Sequence, residues 1–211
     1  MDPLKQLQEL VIVGRRKEVT ELTQQLINEG TKPDRILYDG LLPGMSVVGE
    51  RFEKGEYFIP EMLLAARSLN AGLDLLRPLL TDADMRPTGK VVLGTVKGDI
   101  HDIGKNLVAV MMQGAGFHVI DAGVDVPPEK FVELIREHEP DIVGLSALLT
   151  TTMPSMEDTI EVLKSEKVRD KVKVLIGGAP VTQEYANRIG ADGFGRNATV
   201  AAQVAVKLVG A

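Results

Sequence analysis

The sequence contains no cysteine, which excludes a disulfide scaffold, an iron–sulfur cluster, thiolate-bound zinc and a cysteine nucleophile. A reducing compartment permits that absence without requiring it. No apolar run approaches the roughly 18 to 20 residues that span a bilayer, and the Met1–Asp2–Pro3 start lacks a basic segment followed by an apolar stretch. A cytoplasmic protein with no membrane contact is the expectation. Positive charge is also scarce: 24 Lys and Arg face 30 Asp and Glu, a net −6, divided as 11 basic and 14 acidic residues over 1–87 and 13 and 16 over 88–211. Neither part offers a basic face to a phosphate backbone, so nucleic acid is not an expected partner. Aromatic residues make up only 4%, yet 44% of the 211 residues are hydrophobic. That is enough for one or two domains with a core, and it excludes disordered and collagen-like chains.

The first 80 or so residues carry helical periodicity and no convincing strand. Leu4, Leu7, Leu10 and Val11 form one stripe, Val19, Leu22, Leu26 and Ile27 a second, and Ile36, Leu37, Gly40 and Leu41 a third. The longest element is predicted to start at Pro60 and run to about Leu80, with Met62, Ala65, Leu69, Leu73, Leu76 and Leu80 on one face. This part reads as a small helical bundle. Residues 81–89 then lose all periodicity, as a linker does, so a boundary is expected between 87 and 88. Beyond it, β-branched apolar runs alternate with amphipathic segments. Strands are predicted at Val91–Val96, Phe117–Ile120, Ile142–Ser146, Val172–Ile176 and Gly193–Phe194, and helices at about 103–115, 129–138, 155–167, 182–189 and 198–209. Five such β-then-α units with two-faced apolar strands imply a doubly wound, five-stranded parallel sheet of the flavodoxin-like kind, covered by helices.

In an open parallel sheet, ligands bind beyond the carboxyl ends of the strands, where the strand order reverses. Four loops are therefore candidates: Lys97–Gly104 after strand 1, Ser146–Thr152 after strand 3, Gly177–Gly178 after strand 4 and Gly195–Ala198 after strand 5. The Gly-x-Gly-x-x-Gly of a dinucleotide site is absent from the first loop, which holds Asp99, His101, Asp102 and Gly104 instead. An anion at the helix start near Gly104 would leave a histidine between two carboxylates unexplained. Hydrolytic zinc needs about three protein ligands, and His118 and His138 lie outside the four loops. An Asp two residues ahead of a His is, taken alone, an ordinary helix cap. One imidazole does suffice for a metal whose remaining positions are filled by a macrocycle.

Gly98-Asp-Ile-His-Asp-Ile-Gly-Lys-Asn106, followed by Ser146-Ala-Leu148 and Gly177-Gly178, resembles the cobalamin-binding module of methionine synthase and of the corrinoid proteins of methyltransferase systems. Residues 52–61 resemble the helical cap domain of the same proteins, so the likeness spans nearly the whole chain. The resemblance implies a cobalamin (cobalt corrinoid) cofactor with His101 as the lower axial ligand to the metal. Asp99 would hold the other imidazole nitrogen, and Thr152 would complete an Asp–His–hydroxyl relay where methionine synthase has a serine. Gly98, Ile100, Asp102, Gly104, Ser146, Leu148 and Thr150 would line the cofactor, with Gly177, Gly178, Asn197 and Ala198 on the later loops. In the helical domain Met62 and Leu69 are either bundle core or corrin contacts, and Phe58 is either a staple on Leu63 or part of a cap.

The function implied is that of a methyl carrier in one-carbon metabolism. It would accept a methyl group on cob(I)alamin from a donor bound by a substrate-specific methyltransferase. It would deliver the group to a second methyltransferase whose acceptor is tetrahydrofolate, another pterin or a thiol, with a reductive activase as a further partner. The chain is too short to hold also the roughly 250-residue barrel of such enzymes, so turnover is expected only with partners. Two alternatives use the same module: a cobalamin-responsive regulator and the small subunit of an adenosylcobalamin radical mutase. The first usually carries an output domain, and no DNA-binding helix pair or basic patch is apparent. The second normally lacks the amino-terminal cap.

Overall fold

The computed structural model describes residues 2–80 and 88–210. The chain divides into two compact units, Met1–Arg86 with Gly114–Gly116, and Pro87–Gln113 with Phe117–Ala211. Most of the expected linker and the 87/88 boundary fall on residues 81–87, outside the described ones.

The first unit is helical: α1 (Pro3–Ile12), α2 (Arg16–Asn28), a short α3 (Pro33–Arg35), a π-helical turn (Ile36–Leu41), α4 (Leu42–Glu53) and α5 (Ile59–Leu76). Its apolar stripes are buried as the periodicity predicts, with Leu7, Val11, Val19, Ile36, Leu41, Met62 and Leu76 fully or almost fully enclosed. Met62 and Leu69 are core. Phe58 is 64% exposed, so it does not act as a staple. Its backbone N–H instead donates to Glu61, satisfying one of the free donors at the start of α5. The predicted run to Leu80 stops early: α5 ends at Leu76 and a 3₁₀ turn takes Arg77–Leu79, because Pro78 has no N–H to continue the helical ladder. The π turn was not foreseen, since Ile36, Leu37, Gly40 and Leu41 fit an ordinary helical stripe.

The second unit alternates β1 (Lys90–Val96), α6 (Ile103–Gly114), β2 (His118–Val126), α7 (Pro128–His138), β3 (Ile142–Ser146), α8 (Pro154–Ser165), β4 (Lys173–Gly177), α9 (Gln183–Ile189), β5 (Gly193–Gly195) and α10 (Ala198–Val209), with a 3₁₀ turn at Arg169–Lys171. All strands are parallel, in the order β2-β1-β3-β4-β5. The core is the β-branched interior of β1, β3 and β4 against α7, α8 and α9, centred on Phe131, Val143, Ile160, Val174 and Ile176. One prediction needs correction here. The second strand continues six residues past Ile120: Asp121 and Gly123 pair with Leu93 and Gly94, and bulges between Asp121 and Gly123 and between Gly123 and Val126 take up the extra residues on this edge strand.

Register fixes the site's floor. Thr95 lies beside Ser146, Ser146 beside Gly177, and Gly177 beside Gly195. A row of small residues therefore runs along the carboxyl edge of four neighbouring strands. Among the described residues, no helix is long and apolar enough to cross a membrane.

Candidate cofactor site

The β1–α6 turn puts an acid in the interior. Gly98 adopts φ +84°, a left-handed turn that an L side chain resists, and the chain then folds back so that the Asp99 N–H donates to Val96 O at 3.1 Å. Asp99 is completely buried. Its Oδ2 accepts from the Thr152 hydroxyl at 2.7 Å, from Leu148 N–H at 2.8 Å and from Leu149 N–H at 3.4 Å. Its Oδ1 accepts from the His101 N–H at 3.0 Å and meets His101 Nδ1 at 2.7 Å.

The amides of Leu148, Leu149 and His101 can only donate, and their convergence on both oxygens favours the ionised carboxyl; the Thr152 hydroxyl also lies 2.9 Å from Leu149 O. Burial by itself pushes the Asp99 pKa up, but the hydrogen bonds from Thr152, from the His101 and Leu148 amides and from the His101 ring outweigh it. They hold the group well below the usual carboxylate range. With Asp99 ionised, the proton of a neutral His101 sits on Nδ1. That leaves Nε2 with its lone pair, on a ring that is 46% exposed. The network therefore sets the tautomer and leaves Nε2 free.

Asp102, the second carboxylate of the loop, does not join this chain. Its main-chain carbonyl accepts from Asn106 N–H at 2.8 Å and its side chain from Asn106 Nδ2 at 3.1 Å, so it starts α6. Gly104 is open: an added Cβ would meet nothing within 4 Å. Around His101, Ile100 and Ile103 are each 73% exposed, and Leu148 and Leu149 each 43%. Four large apolar side chains in two adjacent loops are a surface that calls for a cover. Thr150 is exposed in the same turn, and Ser146 ends β3 half-buried.

On the next loop, Gly178 has φ +133°, and a Cβ there would lie 1.8 Å from Ala147 O. The close approach that demands glycine is thus between the β4 and β3 loops, joined also by Ala147 N–H to Gly177 O at 3.2 Å. The Asn197 side-chain carbonyl caps α10 through Val200 N–H at 2.8 Å, and Ala198 is buried at the first turn. The structure brings Asp99, His101, Leu148 and Thr152 into one network; Asn197 and Gly178 are accounted for by their own local bonds.

Four further residues shape this site and were not read from the sequence. Thr95, fully buried at the end of β1, donates its hydroxyl to His101 O at 2.9 Å. Asp125 accepts from Gly98 N–H, and Lys105, 4% exposed on α6, is ion-paired with Asp121. Thr95 was hidden in an apolar strand, and Lys105 resembles any surface lysine of an amphipathic helix. A hint lies in the two acids at 121 and 125, just past the predicted end of the second strand.

The donor set suits a corrinoid. A single accessible imidazole nitrogen, held by a carboxylate, can complete the coordination of a metal already ringed by a macrocycle, and the exposed apolar rim offers such a ring a surface. Among the described residues, no group of three or more His, Cys, Asp or Glu could hold a bare ion.

Comparison with known proteins agrees. Residues 89–203 and residues 3–77 each match a family described as a B12 binding domain. The dimethylamine corrinoid protein of Methanosarcina barkeri is 43% identical over 207 residues, covering 98% of this chain and 97% of its own. A corrinoid protein of Desulfitobacterium hafniense strain Y51 is 42% identical over 213 residues, covering 100% and 99%. Among solved structures, a cobalamin-binding protein from D. hafniense DCB-2 superposes with a TM-score of 0.79 at 36% identity, covering 97% of this chain and 98% of that one. The methanol:cobalamin methyltransferase complex of M. barkeri gives a TM-score of 0.89 at 27% identity, covering 99% and 80%. With both of its parts matched and relatives aligned from end to end, the chain belongs to the B12-binding corrinoid proteins.

Proposed function

We propose that this protein is the cytoplasmic methyl carrier of a methyltransferase system, with His101 Nε2 as the lower ligand to its corrinoid cobalt. The observation that carries the reading is the chain Thr152–Asp99–His101, which ends in a free, accessible imidazole nitrogen. The corrinoid supplies a cobalt centre that takes up a methyl group and gives it away. The protein's residues do the rest. Asp99 keeps the Nδ1 proton in place and fixes the orientation of the ring, so that Nε2 is the nitrogen that would hold the cobalt. Thr152 holds Asp99 and is the next oxygen through which a proton could pass.

Ile100, Ile103, Leu148 and Leu149 would shield the macrocycle's edge from water. Gly98, Asp102, Gly104 and Thr150 belong to the same two loops. Ser146, Gly177 and Gly178 would bound the groove for the cofactor's nucleotide tail, with Asn197 and Ala198 at its far side. The donor would sit on a substrate-specific methyltransferase. Relatives named for dimethylamine and trimethylamine, and the methanol complex, make methylated amines and methanol the first classes to assay. The acceptor would be tetrahydrofolate, another pterin or a thiol on a second methyltransferase, with a reductive activase to recover inactive cofactor.

Anaerobic reconstitution tests the ligand. Cob(II)alamin on the wild type is expected to show imidazole superhyperfine splitting in its EPR spectrum. His101→Ala should bind corrinoid, through burial of the tail, without that splitting. Splitting that persists in the variant overturns the assignment. Methyl transfer from each donor class through purified partner enzymes then identifies the system.

A further inference from the structure

We propose that Asp125 is a positioning residue: from the bulged end of the edge strand β2 it grips the turn ahead of His101 and so keeps the imidazole where it can ligate. The inference rests on the axial-ligand reading above, but its evidence lies in β2. From Leu93↔Asp121 to Val96↔Val126, β1 advances three residues while β2 advances five, with shifts on either side of Gly94. Two extra residues are thus spent at the end of an edge strand, beside the candidate site, which is where bulges commonly redirect a side chain.

What they redirect is Asp125. Its φ is +52°, a left-handed conformation uncommon for a residue with a side chain and better tolerated by Asp than by most. In that conformation it makes two hydrogen bonds of opposite sense to adjacent residues of the histidine loop. Its N–H donates to Asp99 O at 2.8 Å, and its Oδ1 accepts from Gly98 N–H at 2.7 Å. Gly98 is itself in the left-handed region, so the carboxylate stabilises the one peptide conformation that turns Asp99 inward.

The side chain is exposed and buries no core surface; its carboxylate and its N–H both bond the turn. Thr95 holds the other end of the same segment through His101 O. The main chain from Gly98 to His101 is therefore pinned at both ends, by Asp125 from β2 and by Thr95 from β1, while the loop after β3 holds the Asp99 side chain. A strained backbone retained beside a candidate site is the pattern expected when geometry there matters.

Two substitutions separate the acceptor from the strain. Asp125→Asn keeps an oxygen for Gly98 N–H and tolerates positive φ. Asp125→Gly keeps the backbone bond to Asp99 O and relieves the strain, but removes the acceptor. In cob(II)alamin-loaded protein, the ratio of imidazole-ligated to unligated cobalt is expected to fall about three- to tenfold in the glycine variant, the scale of one net hydrogen bond. Asparagine should restore it.

In the protein without corrinoid, the Gly98 amide should exchange with solvent at least about threefold faster in the glycine variant. A glycine variant that keeps both the wild-type ratio and wild-type Gly98 exchange overturns the proposal, as does a fall in thermal midpoint while the bound cofactor stays as ligated as before. If Asp125→Gly does not fold, the wild type decides: a Gly98 amide that exchanges as fast as an unbonded amide in the folded protein overturns the proposal. Absence of imidazole splitting from the wild type overturns the axial-ligand reading instead, and the exchange measurement still decides whether Asp125 holds the turn.

Discussion

Asp99 shows how a single buried side chain can fix the chemistry of its neighbour. Each of its two oxygens accepts from a backbone amide, so substitution by asparagine leaves an amide opposed to the new NH₂ in either orientation. Turned one way it opposes Leu148 N–H, and turned the other it opposes His101 N–H. An unsatisfied buried amide costs about 1–3 kcal/mol. Asp99→Asn should therefore lower stability by about 2 kcal/mol at pH 7 in urea unfolding, and it should reduce the imidazole-ligated fraction of bound cob(II)alamin. The pH dependence has a definite sign. Because the folded-state pKa lies below that of the unfolded chain, the carboxylate adds stability that is fully present above about pH 4 and is lost as pH falls further. The gap between wild type and Asp99→Asn should thus narrow between about pH 4 and pH 2. A constant gap across that range would show that folding does not depress the Asp99 pKa. The Asp-x-His spacing made this pair readable from the sequence, and a hydroxyl at Thr152 was enough to suggest the third member. The amides of Leu148 and Leu149 were not readable, because a backbone donor has no residue letter.

Strand β2 was the element least legible in advance, and the reason is local. Val119 and Ile120 carry the β signal, whereas Asp121, Gly123 and Asp125 carry turn signals, and bulges on an edge strand satisfy both. The interior strands β1, β3 and β4 had no such conflict and fall within a residue or so of the predicted ends. The same stretch of β2 anchors α6. Lys105 is almost wholly buried, with its ammonium on Asp121, whose side chain is 54% exposed and also accepts from Gly123 N–H at 2.9 Å. Removing the acid leaves a buried cation without a counter-charge, while replacing the lysine by an apolar residue of similar length removes the charge together with its desolvation. Asp121→Asn is expected to destabilise by about 1–2 kcal/mol, less than for a fully enclosed pair because Asp121 is half in water. Lys105→Met should cost less, and adding it to Asp121→Asn should recover part of the loss. Thermal unfolding of the two single variants and the double variant decides this. Additive losses would mean that the pair is not what joins α6 to β2.

For the molecule as a whole, the decisive feature is that the Thr152–Asp99–His101 network and the residues that hold it draw on one unit. Thr95, Asp99, His101, Asp125, Leu148 and Thr152 all belong to the sheet-containing part, which has its own core around Phe131, Val143, Ile160 and Ile176. Near residue 88 the sequence changes from helical stripes to short β-branched apolar runs alternating with amphipathic segments. What periodicity could not convey was the register that lines up Thr95, Ser146, Gly177 and Gly195, which depends on long-range strand pairing. A fragment of residues 88–211 should therefore fold alone, with far-UV circular dichroism of an α/β protein and a cooperative thermal transition. It should bind one cobalamin per chain with the imidazole splitting of the intact protein. The site asks nothing of residues 1–80 for axial ligation, because every hydrogen bond that orients the His101 ring comes from within 95–152. A folded fragment that binds corrinoid without histidine ligation would show that the helical unit helps to place the imidazole, and would move part of the cofactor site out of the sheet.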